Sequence, residues 1–223
     1  MKLKQILKFL NLCFISFSIC IFYFSNLDQI NNPKLAYNNG HNVPTTGLTW
    51  NHRIITIYLS KSIKQNSEAK DGVLAAMVAW NTKIYPFLTF VETNSYQHAD
   101  IVINESSLNK NSRYVKSNQN MKLKPNHNYV LGLTTPKKPF KKLSYQKEQI
   151  QLDVPTINAM YLSNHNPNNQ YDHLHTRIMS VTEHELGHAV GLNHTKTPNS
   201  IMRENGDFPL SPIDVNAVRM LYS

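Results

Sequence analysis

The sequence predicts an α/β domain in which helices cover a sheet, and three observations carry that expectation. Residues 53–59, RIITIYL, are β-branched and bounded by polar residues, which is a strand by composition. Ala69, Val73, Ala76, Met77 and Trp80 then recur at helical spacing, with Asn66 or Ser67 as the cap. Phe87 to Val91 and Ile101 to Ile103 follow as short apolar runs with the length of strands. The helical stripe is read as core packing.

Taken in order, the chain begins with a segment that does not belong to that core. Lys2, Lys4 and Lys8 give residues 1–25 a basic start, and Phe9 to Phe24 is apolar apart from Asn11, Ser16 and Ser18. This is the pattern of an export segment. It ends in Phe22, Tyr23, Phe24 and Ser25, unlike the small residues that suit cleavage, and is a little short for the roughly 20 residues of a full span. A cleaved signal and a retained membrane anchor both fit. Cys13 and Cys20 lie inside this run, so the chain beyond it has no thiol for a disulfide. Residues 26–52, with Asn pairs, Pro33, Gly40 and Pro44, read as a linker. With 41% hydrophobic content, the remaining residues 53–223 can bury one good core. A secreted or membrane-tethered, extracellular monomer is expected.

Residues 106–147 contain nine lysines and Arg113 but no acidic residue. A solvated insertion is the first reading. The alternative is attraction of Lys137, Lys138, Lys141 and Lys142 to an anionic cell wall or lipid headgroups. An exported chain without a recognition motif argues against nucleic acid, despite the net charge of +9. Within the stretch, YVLGLTT at 129–135 reads as a strand, and TINAMYLS at 156–163 as another. His173 and His175 read as solvated or hydrogen-bonded, in preference to a second metal site.

The chemistry is concentrated in residues 184–194, HELGHAVGLNH. His184 and His188 stand four apart, so on a helix their imidazoles share one face and can chelate one small cation. Gly191 is placed to end that helix in a left-handed turn, which swings His194 back as a third nitrogen ligand. Three protein ligands with one open position describe a catalytic zinc, whereas structural sites close all four. Glu185 is adjacent and can act on a water molecule as a general base. Glu183 reads as a surface charge. Ser211 and Pro212 begin a last helix with Asp214 at its third position.

These residues match HExxHxxGxxH at every fixed position, and the chain resembles the metzincin metallopeptidases, in particular the matrixin branch and its small bacterial relatives. The resemblance runs from about Arg53 to Tyr222 through RIITIYLS, AAMVAWNTKIYPFLTFVE, ADIVI, the histidine stretch, SIM at 200–202 and SPIDVNAVRMLY. It implies a twisted mixed sheet of about five strands with an antiparallel edge strand over the cleft, an active-site helix and a C-terminal helix. It implies one catalytic Zn2+, with Met202 in the turn beneath the ligands. By the same resemblance, Thr156, Ile157, Asn158, Ala159, Met160, Tyr161 and Leu162 are assigned as the edge strand that pairs with substrate. The family also places a structural zinc and calcium in the region before the histidine stretch; His127 alone, without carboxylates, does not support them. No propeptide cysteine is available to cap the zinc. After Met202 stand Arg203 and Glu204, where matrixins commonly have Tyr-Pro, so pocket preference does not carry over. The implied activity is zinc-dependent cleavage of extracellular peptides or proteins. A surface adhesin using the basic insertion, with proteolysis secondary, is the alternative from another class.

Overall fold

A computed structural model of the chain describes residues 43–109, 114–117, 120–123, 129–136, 144–164, 173–204 and 209–223. Residues 1–25, His127 and the lysines at 137, 138, 141 and 142 lie outside the described residues.

The sheet has five strands: β1 (Ile54–Leu59), β2 (Thr89–Glu92), β3 (Ile101–Glu105), β6 (Gly132–Pro136) and β7 (Glu148–Leu152), in the order β2-β1-β3-β7-β6. The first four run parallel, and β6 runs antiparallel on β7, with Gly132 opposite Leu152 and Thr134 opposite Ile150. Strand alternation is clearest in β1, where Ile55, Ile57 and Leu59 are fully buried and the residues between them face outward. β4 (Tyr114–Ser117) and β5 (Asn120–Leu123) form a separate antiparallel pair.

Five helices complete the described fold: α1 (Lys61–Gln65), α2 (Ser67–Ile84), α3 (Val154–Asn164), α4 (Leu174–Ala189) and α5 (Pro212–Leu221). α2 starts where Asn66 accepts a hydrogen bond from the Ala69 amide, and buries Ala69, Val73, Ala76, Met77 and Trp80 as the stripe predicts. Trp80 reaches α4, donating its indole N–H to the Glu183 carbonyl at 3.0 Å. The mixed five-strand sheet, the active-site helix and the C-terminal helix agree with the architecture expected from sequence.

Two expectations change. Residues 156–162 are not a strand: they lie within α3. The Asp153 carboxylate accepts from the Thr156 amide at 3.1 Å, capping the first turn, and Pro155 stands at the second helical position. Both favour a helix start. The antiparallel edge strand is instead β6, which overlaps the 129–135 run also read as a strand. The sheet also contains β7, which the sequence did not reveal, because EQIQL offers only Ile150 and Leu152 as apolar residues.

The stretch read as linker is partly built into the domain. Val43 and Trp50 are core residues, about 5% exposed or less. Thr45 bridges Leu192, the Thr46 amide donates to the Gly191 carbonyl at 2.8 Å, and the Asn193 amide to the Pro44 carbonyl at 2.8 Å. Residues 44–46 therefore strap the turn that follows α4.

Candidate metal centre and active site

α4 carries His184, Glu185 and His188, and its C-terminus decides where His194 goes. Gly191 has φ +104°, a left-handed conformation that glycine tolerates. The Gly191 amide donates to the His188 carbonyl at 3.0 Å and the Leu192 amide to the Gly187 carbonyl at 2.9 Å. This is the paired bonding of a Schellman motif, which reverses the chain at a helix end. A side chain at 191 would also meet the Leu48 carbonyl at 2.6 Å. Three further side chains satisfy carbonyls of the last turn: Trp50 on Ala189 at 2.9 Å, Tyr222 on Val190 at 3.2 Å and Tyr145 on His188 at 3.4 Å. The Ala189 and Val190 carbonyls have no partner within the helix, so Trp50 and Tyr222 anchor its end, and Tyr145 adds a second donor to the His188 carbonyl that Gly191 already meets.

The reversal brings three imidazoles together. The Nε2 atoms of His184, His188 and His194 are each 3.1 Å from the other two. His184 Nδ1 donates to the Ile201 carbonyl at 2.7 Å and His188 Nδ1 to the Leu192 carbonyl at 2.9 Å. A carbonyl only accepts, so these two Nδ1 atoms hold the proton and both Nε2 atoms present lone pairs. His194 Nδ1 lies 3.3 Å from Glu204 Oε1, which favours the same tautomer. Burial holds the His184 imidazole below its ordinary value, and burial followed by the neighbouring His184 pulls His188 down to about 4. Three Nε2 atoms converging on one point have no protein donor between them and fit a cation. Tetrahedral Zn–N bonds of about 2.0–2.1 Å place nitrogens roughly 3.3 Å apart, close to the observed triangle.

Met202 forms the floor. It is fully buried, and its sulfur lies where a side chain at Gly187 would stand. Asp214 braces the turn that carries it. This buried carboxylate accepts from Ser200 Oγ, the Ile201 amide at 3.1 Å, the Ser211 amide at 3.0 Å and Ser211 Oγ at 2.6 Å. Ile201 in turn supplies the carbonyl that orients His184, so the C-terminal helix reaches the metal-ligand cluster through three residues.

Glu185 is 5% exposed, and burial raises its carboxyl to about 7, against the lowering effect of Thr134. The Thr134 hydroxyl lies 2.7 Å from Glu185 Oε2 and 3.0 Å from the Glu185 carbonyl oxygen. Glu183 is buried as well, 3% exposed, and burial raises its carboxyl to about 7. It is not the surface charge that its position suggested, because α2 and the Leu210 segment cover that face of α4.

The structure thus brings together His184, His188, His194, Glu185 and Met202 from the sequence reading. It does not give residues 156–162 the role of edge strand. His173 and His175 stack with ring centroids 5.3 Å apart, and His175 Nδ1 lies 3.3 Å from Glu68; among the described residues the only cluster suited to a metal is the one at 184, 188 and 194. Sequence reasoning missed Thr134, Gly132 and the Asp214 brace. A glycine inside a strand pattern signals close approach of another group, and Gly132 carried that signal.

A mixed sheet with an antiparallel edge strand, a histidine pair on a helix, a third histidine past a glycine turn and a methionine beneath them define the metzincin class. The chain belongs to the matrixin family: the model described as Peptidase_M10, Matrixin, matches residues 49–223. The chain is also similar to Matrilysin from Felis catus, 39% identical over 51 residues that make up 20% of this chain and 20% of that protein. The alignment therefore spans about a fifth of that relative's length.

Proposed function

We propose that the protein is a zinc-dependent endopeptidase that cleaves peptides or proteins outside the cell. The observation that carries this reading is the triangle of Nε2 lone pairs, 3.1 Å on each side, next to the buried carboxylate of Glu185. His184, His188 and His194 would hold the ion. When bound, zinc supplies Lewis acidity toward water and toward a substrate carbonyl.

The chain's own residues do the rest. Glu185 takes a proton from the attacking water on a carboxylate oxygen and delivers it to the leaving amine. Burial raises the affinity of the Glu185 carboxylate for a proton, which favours its uptake from the water. Ile201 and Leu192 carbonyls keep His184 and His188 in the tautomer that points lone pairs inward. β6 is the sheet edge, so an extended substrate can add to it by main-chain pairing, with Leu133 half exposed at its centre. The basic start and apolar run of residues 1–25 support an extracellular location. The acid-free lysine stretch supports a tether to an anionic wall or lipid surface.

Metal analysis and a peptide-cleavage assay on the full chain test this. One zinc per chain is expected, with activity lost to a chelator and restored by zinc. Glu185→Gln should retain zinc and lose about 10²–10⁴-fold in turnover, the ordinary range for a general base. Active protein without zinc, or a metal-loaded Gln variant cutting at the parental rate, would sink the reading.

A further inference from the structure

Two residues of β6 form the seat of the Glu185 side chain. Gly132 and Thr134 are two apart in a strand, so they share the face that looks toward α4. A Cβ added at Gly132 would stand 2.5 Å from Glu185 Oε1 and 2.6 Å from its Cγ. The carboxylate therefore occupies the volume that any other residue's side chain would need. On the other side, the Thr134 hydroxyl lies 2.7 Å from Oε2 and 3.0 Å from the Glu185 backbone oxygen. A hydroxyl has one proton, and the carboxylate is the stronger acceptor. Contact with both the backbone and the tip of one residue limits all three side-chain torsions of Glu185.

We propose that Thr134 is a positioning residue for peptide hydrolysis, its hydroxyl holding the Glu185 carboxylate against Gly132 in the orientation that proton transfer needs. The proposal rests on the reading of Glu185 as the base. Its second consequence is that one strand serves two purposes. β6 is fixed to β7 by the pairing of Thr134 with Ile150, and its other edge pairs with no strand among the described residues, which leaves it for substrate in the proposed reading. The base and a paired peptide are thereby held by the same backbone, which fixes their separation. β-branched geometry matters less than the hydroxyl: valine fills the same space but cannot donate, whereas serine donates without the methyl.

The test uses the full-length, zinc-loaded chain and a fluorogenic peptide that the parent cleaves. Thr134→Val, Thr134→Ser and Glu185→Gln are measured singly, and Thr134→Val also in the Gln background. Thr134→Val should lower kcat about tenfold with KM and zinc affinity, read by chelator competition, within about twofold of the parent, and Thr134→Ser should recover to within about threefold. In the Gln background the Val change should cost nothing further, because the group it positions has gone. The proposal is overturned by parental kcat in Thr134→Val, by Ser falling as low as Val, or by the same fractional loss in the Gln background. Loss of zinc or of the fold in Thr134→Val also overturns it, since a structural role accounts for that result. Parental turnover in Glu185→Gln alone is the separate outcome that removes the base assignment itself.

Discussion

Trp50 donates its indole N–H to the carbonyl of Ala189 at 2.9 Å, joining the segment before the first strand to the last turn of the helix that carries His184 and His188. The ring is 4% exposed and lies 5.3 Å from the Tyr145 ring, whose hydroxyl lies 3.4 Å from the His188 carbonyl. Removing Trp50 thus empties a core site and frees a helix-end carbonyl together.

Trp50→Ala is expected to destabilise the domain by about 3–5 kcal/mol, the range for deleting a buried aromatic ring. Denaturant unfolding of the two proteins side by side measures this. Trp50→Phe should recover part of the loss but leave the Ala189 carbonyl unbonded. A change near zero for the alanine variant would mean that the strap at residues 43–50 does not hold the helix end.

Asp214 accepts from four groups on two segments, and Asp214→Asn replaces an acceptor-only carboxylate with an amide that has one acceptor oxygen. Each donor left unsatisfied in the interior costs about 1–3 kcal/mol, so a measurable fall in melting temperature is expected. Because Ile201 orients His184, zinc affinity by chelator competition should fall in the same variant. Unchanged zinc affinity would separate the brace from the metal-ligand cluster.

Glu204 offers a more exposed test of ligand orientation. Its carboxylate meets His194 Nδ1 at 3.3 Å, whereas His184 and His188 are held by backbone carbonyls that no substitution of the residues supplying them removes. Glu204→Gln should weaken zinc binding by about tenfold, the low end for a carboxylate behind a ligand, because both partners are accessible to water. Equal affinity would show that His194 needs no such support.

Glu148 gives stability a pH dependence. It is 2% exposed, its Oε1 has no hydrogen-bond partner among the described residues, and burial raises its carboxyl from 4.5 to about 7. Between those values the folded chain keeps a proton that the unfolded chain has lost. This group's contribution to stability therefore falls as pH rises from 4.5 to 7 and is constant above. Glu148→Gln removes that contribution. The urea midpoint of the variant minus that of the parent should grow across the window and level off beyond it. A difference that is flat with pH would show that Glu148 titrates as an ordinary carboxyl.

Much of the site was legible because its rules are local. His184 and His188 share a helix face through 3.6-residue periodicity, and Gly191 marks the reversal that returns His194. Ser211, Pro212 and Asp214 announce a helix start within four residues. The same kind of signal was overlooked at Asp153 and Pro155, where the β-rich look of TINAMYL outweighed a cap immediately before it.

The three clustered histidines, the adjacent carboxylate and the glycine turn were legible in the residues alone, since each depends on positions within one or two turns of one another, and the α/β class followed from the order of short apolar runs and a helical stripe. Which segment became the edge strand, what seats Glu185 and what holds the end of its helix were settled by long-range packing. Thr134 meets Glu185 across 51 residues and Trp50 meets Ala189 across 139. A strand's identity depends on the neighbour it pairs with, and β6 found β7, whose EQIQL sequence gave little sign of itself. Contacts of that range are selected by packing of the whole core, which no local pattern records.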